Sequence, residues 1–275
     1  MTRPVPAAWI AAIDAYTDAL IAGGAPATTR ATRRAHLRRV GRCLGGSPWA
    51  VDADQLVTWC ARQSWAVETR RSVRASLRSF YSWAVAAGHV AESPAPALPR
   101  VRPADPVPRP APEIVVSEAL ARADARTALM VRLAAEIGLR RAEVAAIHRR
   151  DLADDLTGRS LTVRGKGGRV RYVPLPDGLA AALVRRLDAT GSGYLFPGDD
   201  GGHLSPRYVG KLVAAVLPGD WTMHTLRHRF ATRAYAACRD TFAVQSLLGH
   251  ASPATTRRYV AVPADGLRAV VDAVA

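Results

Sequence analysis

The stretch LLGHASPATTRRYV, residues 247–260, sets His250 nine residues before Tyr259, with two arginines directly ahead of the tyrosine. A phenol attacks well only as phenolate. With a pKa near 10 it is about 0.1% ionised at pH 7, roughly 4 kcal/mol from that form. Nearby cations lower this cost, and the sequence supplies them. GLRRAEV places Arg140 at a helix start, three residues before Glu143. RGKGGR holds Lys166 in a glycine-rich turn, and HTLRHRFAT puts His224 and Arg227 three apart, on one helix face. Only two of the 38 Lys and Arg residues are lysines, Lys166 and Lys211. Lysine, unlike arginine, gives up a proton when its surroundings lower its pKa.

Singly, each group has a plain structural use. Arg140 and Glu143 can form a surface ion pair, GKGG can be only a turn, His224 and Arg227 can lie on a solvated face, and His250 can cap a helix C-terminus. As a set they suit one reaction on a phosphodiester. The phenol attacks phosphorus while the cations stabilise charge on the non-bridging oxygens, where losing one such donor costs roughly 3–4 kcal/mol. The departing 5′-oxygen then needs a proton, which a lysine on a hairpin can supply. No carboxylate cluster suits a magnesium pair and no P-loop is present. The expectation is therefore a reaction with no metal and no cofactor.

The charge balance points the same way. The net charge is +15, shared as +7 over residues 1–100 and +8 over 101–275, so no single tail accounts for it. A polyanion, most simply double-stranded DNA, is the implied partner; an arginine-rich codon bias is the plain alternative. No apolar run approaches the roughly 18 residues that span a bilayer, and the start lacks a signal-peptide layout. Cys43, Cys60 and Cys238 fit no CxxC pattern and read as buried free thiols in a reducing cytoplasm.

Two elements must position these groups. Residues 100–112, RVRPADPVPRPAP, carry five prolines and read as an extended join spanning roughly 40 Å. Before it lie four helical patterns. The first has Trp9, Ile13, Tyr16 and Leu20 at helical spacing; Thr28 or Thr29 can cap the second and Asp52 the third. The fourth buries Val73, Leu77, Phe80 and Tyr81 and turns Arg70, Arg71, Arg74 and Arg78 outward as a stripe suited to phosphates, or to a merely solvated face. After the join, SEALARADARTALMVRLAAEIGL reads as two helices and SLTVRGKGGRVRYVPLP as a β-hairpin. Helical patterns resume at 177–188, 205–216, 224–237 and 241–248. The expected fold is mainly α with a small antiparallel β-sheet.

GLRRAEV, GKGGR, HTLRHRFAT and LLGHASPATTRRY together closely resemble the signature of the tyrosine recombinase (phage integrase) family, in order and in spacing, over most of residues 135–262. ETRRSVRASLRSFYSWAVAAGHVAESPAPAL is similar to the end of that family's helical core-binding domain. One departure is Ile137, where the family usually has threonine before GLR; it touches nothing catalytic. The resemblance implies a SAM-like core-binding domain over 1–99, a linker over 100–112 and a catalytic domain over 113–275 with a tail at 263–275. It makes Tyr259 the nucleophile and Arg140, Lys166, His224, Arg227 and His250 its activators. It further implies a homotetramer on two DNA duplexes, assembled from monomers through the tail, with a directionality factor as a further partner. The start leaves no room for an arm-binding domain. That fits an integrase of a compact phage or mobile element, with a Xer-like dimer resolvase as the alternative. A type IB topoisomerase and a catalytically silent DNA-binding relative are more distant readings.

Overall fold

The computed structural model describes residues 3–103, 108–156, 158–165 and 168–249, and the chain divides into two compact units, Met1–Asp105 and Pro106–Ala275. Lys166, His250, Tyr259 and the tail 263–275 lie outside the described residues.

The first unit is four helices: α1 (Ala7–Ala22), α2 (Ala27–Leu44), α3 (Ala53–Ala61) and α4 (Val67–Ala86). Trp9, Ile13 and Tyr16 recur at helical spacing and are buried on α1. They meet Leu37 and Val40 of α2 and Val73, Leu77, Phe80 and Tyr81 of α4 in one core. Trp9 and Trp49 stack on Phe80 at ring-centroid distances of 6.0 and 5.9 Å. Gly41 lets α2 approach α1, because a Cβ there would stand 2.7 Å from Cγ of Trp9. Asp52 caps α3 as expected, in a capping box with Gln55. The start of α2 differs from the expected threonine cap. The helix begins at Ala27, directly after Pro26, whose ring holds φ at −56°, close to the helical value.

The second unit is helical around a small sheet. Its helices are α5 (Glu113–Arg122), α6 (Ala125–Glu136), α7 (Arg141–Ala145), α8 (Asp177–Thr190), α9 (Pro206–Val216), α10 (Met223–Cys238) and α11 (Thr241–Leu248). Helix α6 is buried on nearly every side, through Leu129, Met130, Val131, Leu133, Ala134 and Ala135, and forms the centre of the core. Strands β1 (Leu152–Asp155), β2 (Gly158–Arg164) and β3 (Val170–Pro174) make an antiparallel sheet in the order β1-β2-β3. Leu161 pairs with both Leu152 and Val173, and Leu161, Val163 and Val173 face the core.

Three expectations need correction. The sheet has a third strand, β1; the two apolar residues of its sequence LADD are adjacent, so no alternation marks it. The cysteines are free but not buried: Cys43 and Cys238 are exposed and Cys60 is half-buried, since their helices turn other residues to the core. The end of the proline-rich join belongs to the second unit. Arg109 pairs with Asp220 at 2.5 and 2.8 Å and lies 4.2 Å from the Trp221 ring, while the Ala111 N–H donates to the Thr225 carbonyl at 3.1 Å. Among the described residues no helix is long and apolar enough to cross a membrane.

Candidate active site

The site begins where α6 turns into α7. Gly138 takes a φ of +68°, and a side chain there would collide with Phe230 and Leu248. The turn delivers Arg140 to the N-cap of α7 and Glu143 one turn later. Glu143 accepts from the Arg140 backbone N–H at 2.8 Å and from Arg140 Nη1 at 2.8 Å. It also accepts from Arg171 Nη1 and Nη2 of β3 at 2.9 and 2.8 Å. With its side chain 4% exposed, Glu143 is a buried charge that only such bonds make tolerable. Burial is the largest influence on its pKa and would raise it. The hydrogen bonds from Arg171 and from the Arg140 N–H, with the Arg171 charge, outweigh burial and hold the carboxyl below its ordinary value.

Helix α10 supplies the next two groups. A capping box between Thr222 and Thr225 starts the helix, placing His224 in its first turn and Arg227 three residues later. Arg227 is 2% exposed; it donates to the Gly138 carbonyl and, at 2.6 Å, to the Leu248 carbonyl, and lies 3.8 Å from Glu143. His224 sits at the rim. Desolvation, then the charges of Arg227 and Arg140, hold its pKa below the ordinary histidine value, so it is neutral at pH 7. His228 meets it edge-on, ring centroids 4.4 Å apart, and accepts at Nδ1 from the Arg109 N–H at 3.3 Å.

The third wall is the end of α11. Arg171 Nε donates to the Leu247 carbonyl at 2.8 Å, Arg227 Nη2 to Leu248 at 2.6 Å and Arg140 Nη2 to Gly249 at 3.4 Å. Three guanidiniums thus sit on three successive carbonyls at the negative end of a helix. Gly249, at a φ of +61°, ends the helix, and a Cβ there would be 3.0 Å from Cδ of Arg171. Arg140, Arg171 and Arg227 against Glu143 leave this cluster with an excess of two positive charges.

Of the six residues expected to act, the structure brings Arg140, His224 and Arg227 together; Lys166, His250 and Tyr259 are outside the described residues. Glu143 was legible only as a partner for Arg140, on the surface; it is the buried hub of the cluster. Arg171 was not singled out. Its signal was its strand position: Arg171 pairs with buried Val163 and stands two residues before buried Val173, so a cation occupies an inward-facing place.

In the first unit the arginine stripe of α4 is only half outward. Arg71 and Arg78 are exposed, with Arg71 paired to Glu68 at 2.9 Å. Arg70 and Arg74 are half-buried. Arg70 donates to the Cys60 and Gln63 carbonyls at 3.0 and 2.8 Å and Arg74 to Leu98 at 3.1 Å. The last carbonyls of α3 lack helical partners, and Arg70 satisfies one of them. Exposed Arg38 and Arg39 of α2 add cations that the reading of α4 left out.

The model of the phage integrase family matches residues 113–265. A tyrosine recombinase XerC of Methylobacterium sp. (strain 4-46) is 36% identical over 237 residues, covering 78% of this chain and 73% of that protein. The chain is a tyrosine recombinase of the phage integrase family. A second relative, the tyrosine recombinase XerC of Pelobacter propionicus, is 31% identical over 252 residues, covering 83% of this recombinase and 82% of the relative. Among solved structures, a lambda integrase (75–356) dimer bound to a COC′ core site aligns at a TM-score of 0.74 and 18% identity, covering 92% of this recombinase and 95% of that chain. The XerH recombinase bound to difH substrate, in a pre-cleavage complex, aligns at 0.66 and 19%, covering 88% and 78%. At those identities the structures speak to the fold, which matches the layout of a core-binding and a catalytic domain. Family membership makes the chain an enzyme of DNA recombination.

Proposed function

We propose that this recombinase cleaves and rejoins DNA strands through a 3′-phosphotyrosyl ester on Tyr259. The carrying observation is the meeting of Arg140 and Arg227 at the buried Glu143 carboxylate, with His224 close enough to feel both guanidinium charges, at the helix end that leads towards His250. The phenol oxygen forms its bond to phosphorus as the bond from phosphorus to the 5′-oxygen breaks. The phenol proton passes to a neutral base, a role open to His224, and the 5′-oxygen takes a proton from Lys166. Attack by the 5′-hydroxyl of a second strand reverses these steps on new DNA. The guanidiniums of Arg140 and Arg227 stabilise the negative charge that builds on the phosphorane-like transition state. Arg71 and Arg78 of α4, with Arg38 and Arg39 of α2, supply phosphate contacts from the first unit.

The role that the sequence favours is integration and excision by a compact phage or mobile-element integrase. One observation favours a second reading, a Xer-type resolvase: the curated relatives described above are both named XerC, at 36% and 31% identity. Nicked suicide substrates built from candidate attachment sites and from dif-like sites, scored for covalent protein–DNA adducts, separate the two roles. The same assay tests the chemistry. Tyr259→Phe should form no adduct while binding DNA within about threefold of the parent; adducts at the parental rate would move the nucleophile elsewhere, for example to Tyr235.

A further inference from the structure

One side chain in the cluster has no part in the chemistry just proposed, yet ties three elements of the second unit together. Arg171, 9% exposed, leaves β3 and forms three hydrogen bonds in two directions: two to Glu143 and one to the Leu247 carbonyl of α11. It therefore joins three elements, β3, α7 and the end of α11. The connection between β2 and β3 closes immediately beside it. The Gly165 N–H donates to the Arg169 carbonyl at 2.7 Å, and a Cβ added at Gly165 would be in ordinary contact with Arg171 Nη1 at 3.7 Å and Glu143 Oε1 at 3.8 Å. The base of the connection rests on the Arg171–Glu143 pair.

We propose that Arg171 is a positioning residue that clamps the base of the β2–β3 connection, the segment that carries Lys166, to the arginine cluster. The proposal rests on the reading of Lys166 as the acid for the 5′-oxygen. A hairpin of five to seven residues per strand is marginal on its own and follows whatever holds its base. The two bonds that tie Glu143 to Arg140 do not involve Arg171, so loss of Arg171 leaves Arg140 anchored. The defect should then fall on proton delivery and spare phosphate binding.

The test uses the full-length protein and paired suicide substrates, one with an ordinary phosphodiester and one with a 5′-bridging phosphorothiolate, whose thiolate leaves without a proton. Arg171→Met should bind DNA like the parent and cleave the ordinary substrate more slowly by a factor of roughly 10–10². It should cleave the phosphorothiolate within about threefold of the parent. Arg171→Lys, which keeps the charge but cannot reach Glu143 and Leu247 together, should show the same pattern at smaller size and serves if the methionine variant does not fold. An equal defect on both substrates, or none on either, overturns the proposal. Lys166→Ala is the control. If the phosphorothiolate fails to rescue it, the assignment of the acid is wrong; if it is rescued and Arg171→Met is not, the clamp alone is wrong.

Discussion

Glu143 holds one negative charge among three guanidiniums, and its contribution to stability depends on pH. Its folded-state pKa lies below the ordinary carboxylate value of 4.5. On acidification the unfolded chain therefore takes up its proton first. The stabilisation is complete above about pH 5–6 and is lost as pH falls through the depressed folded value. Glu143→Gln lacks this dependence and also leaves buried Arg171 and Arg227 without a counter-charge, so it should lose about 3–5 kcal/mol at pH 7. Urea unfolding at pH 7, 5 and 3.5 should show the gap between parent and variant narrowing with acid; a constant gap would mean that Glu143 is not ionised in the fold. His228 is common to both proteins. Desolvation, His224 and Arg227 hold its pKa down to about 4 from 6.5, so it weakens both folds as pH falls through that range and cancels in the comparison.

Helices and turns decide whether these charges meet, and two glycines show how. Gly249 and Gly191 both follow a helix with φ near +60°, but nothing lies within 4 Å of a Cβ added at Gly191, whereas one at Gly249 would crowd Arg171. Each alanine variant should lose roughly 1 kcal/mol to left-handed backbone strain. Only Gly249→Ala should also slow strand cleavage, by tenfold or more on suicide substrates; equal activity of the two variants would detach the α11 end from catalysis. Most of these elements were readable in advance. The apolar spacing of α1 and α4, the two helices before Gly138 and the hairpin across Gly165 and Gly168 all follow periodicities that the core enforces. What was hidden had no periodic signature. β1 has its two apolar residues side by side, α10 buries the successive polar residues Arg227, His228 and Arg229, and Arg70 and Arg74 turn back onto carbonyls of their own unit. A side chain's commitment to a distant main-chain oxygen is a fact of tertiary structure.

At the scale of the whole molecule, the tail bears on assembly. In the tail Leu267, Val270, Val271 and Val274 recur at helical spacing after Pro263, so a helix of that length needs an apolar seat. Val116 and Leu120 of α5 and Phe230 and Ala234 of α10 line part of a groove on the second unit, beside the charged Glu113, Glu136, Arg229 and Arg233. We expect truncation after Val262 to leave binding to a single site nearly unchanged and to abolish cooperative binding and synapsis of two duplexes. Gel shifts on one-site and two-site DNA measure both; full recombination by the truncated protein would assign the coupling to another surface.

The three arginines at the end of α11 bond to main-chain oxygens, and every amino acid has the same main-chain oxygen. Positions 247 and 248 can therefore change identity over evolutionary time, within the limits set by packing, without altering what the guanidiniums grip. A cluster held by carbonyls is insulated from drift in the very segment that leads towards His250 and Tyr259. The burden of invariance falls on Gly249, the one position of the three whose left-handed backbone and closeness to Arg171 leave no room for a side chain.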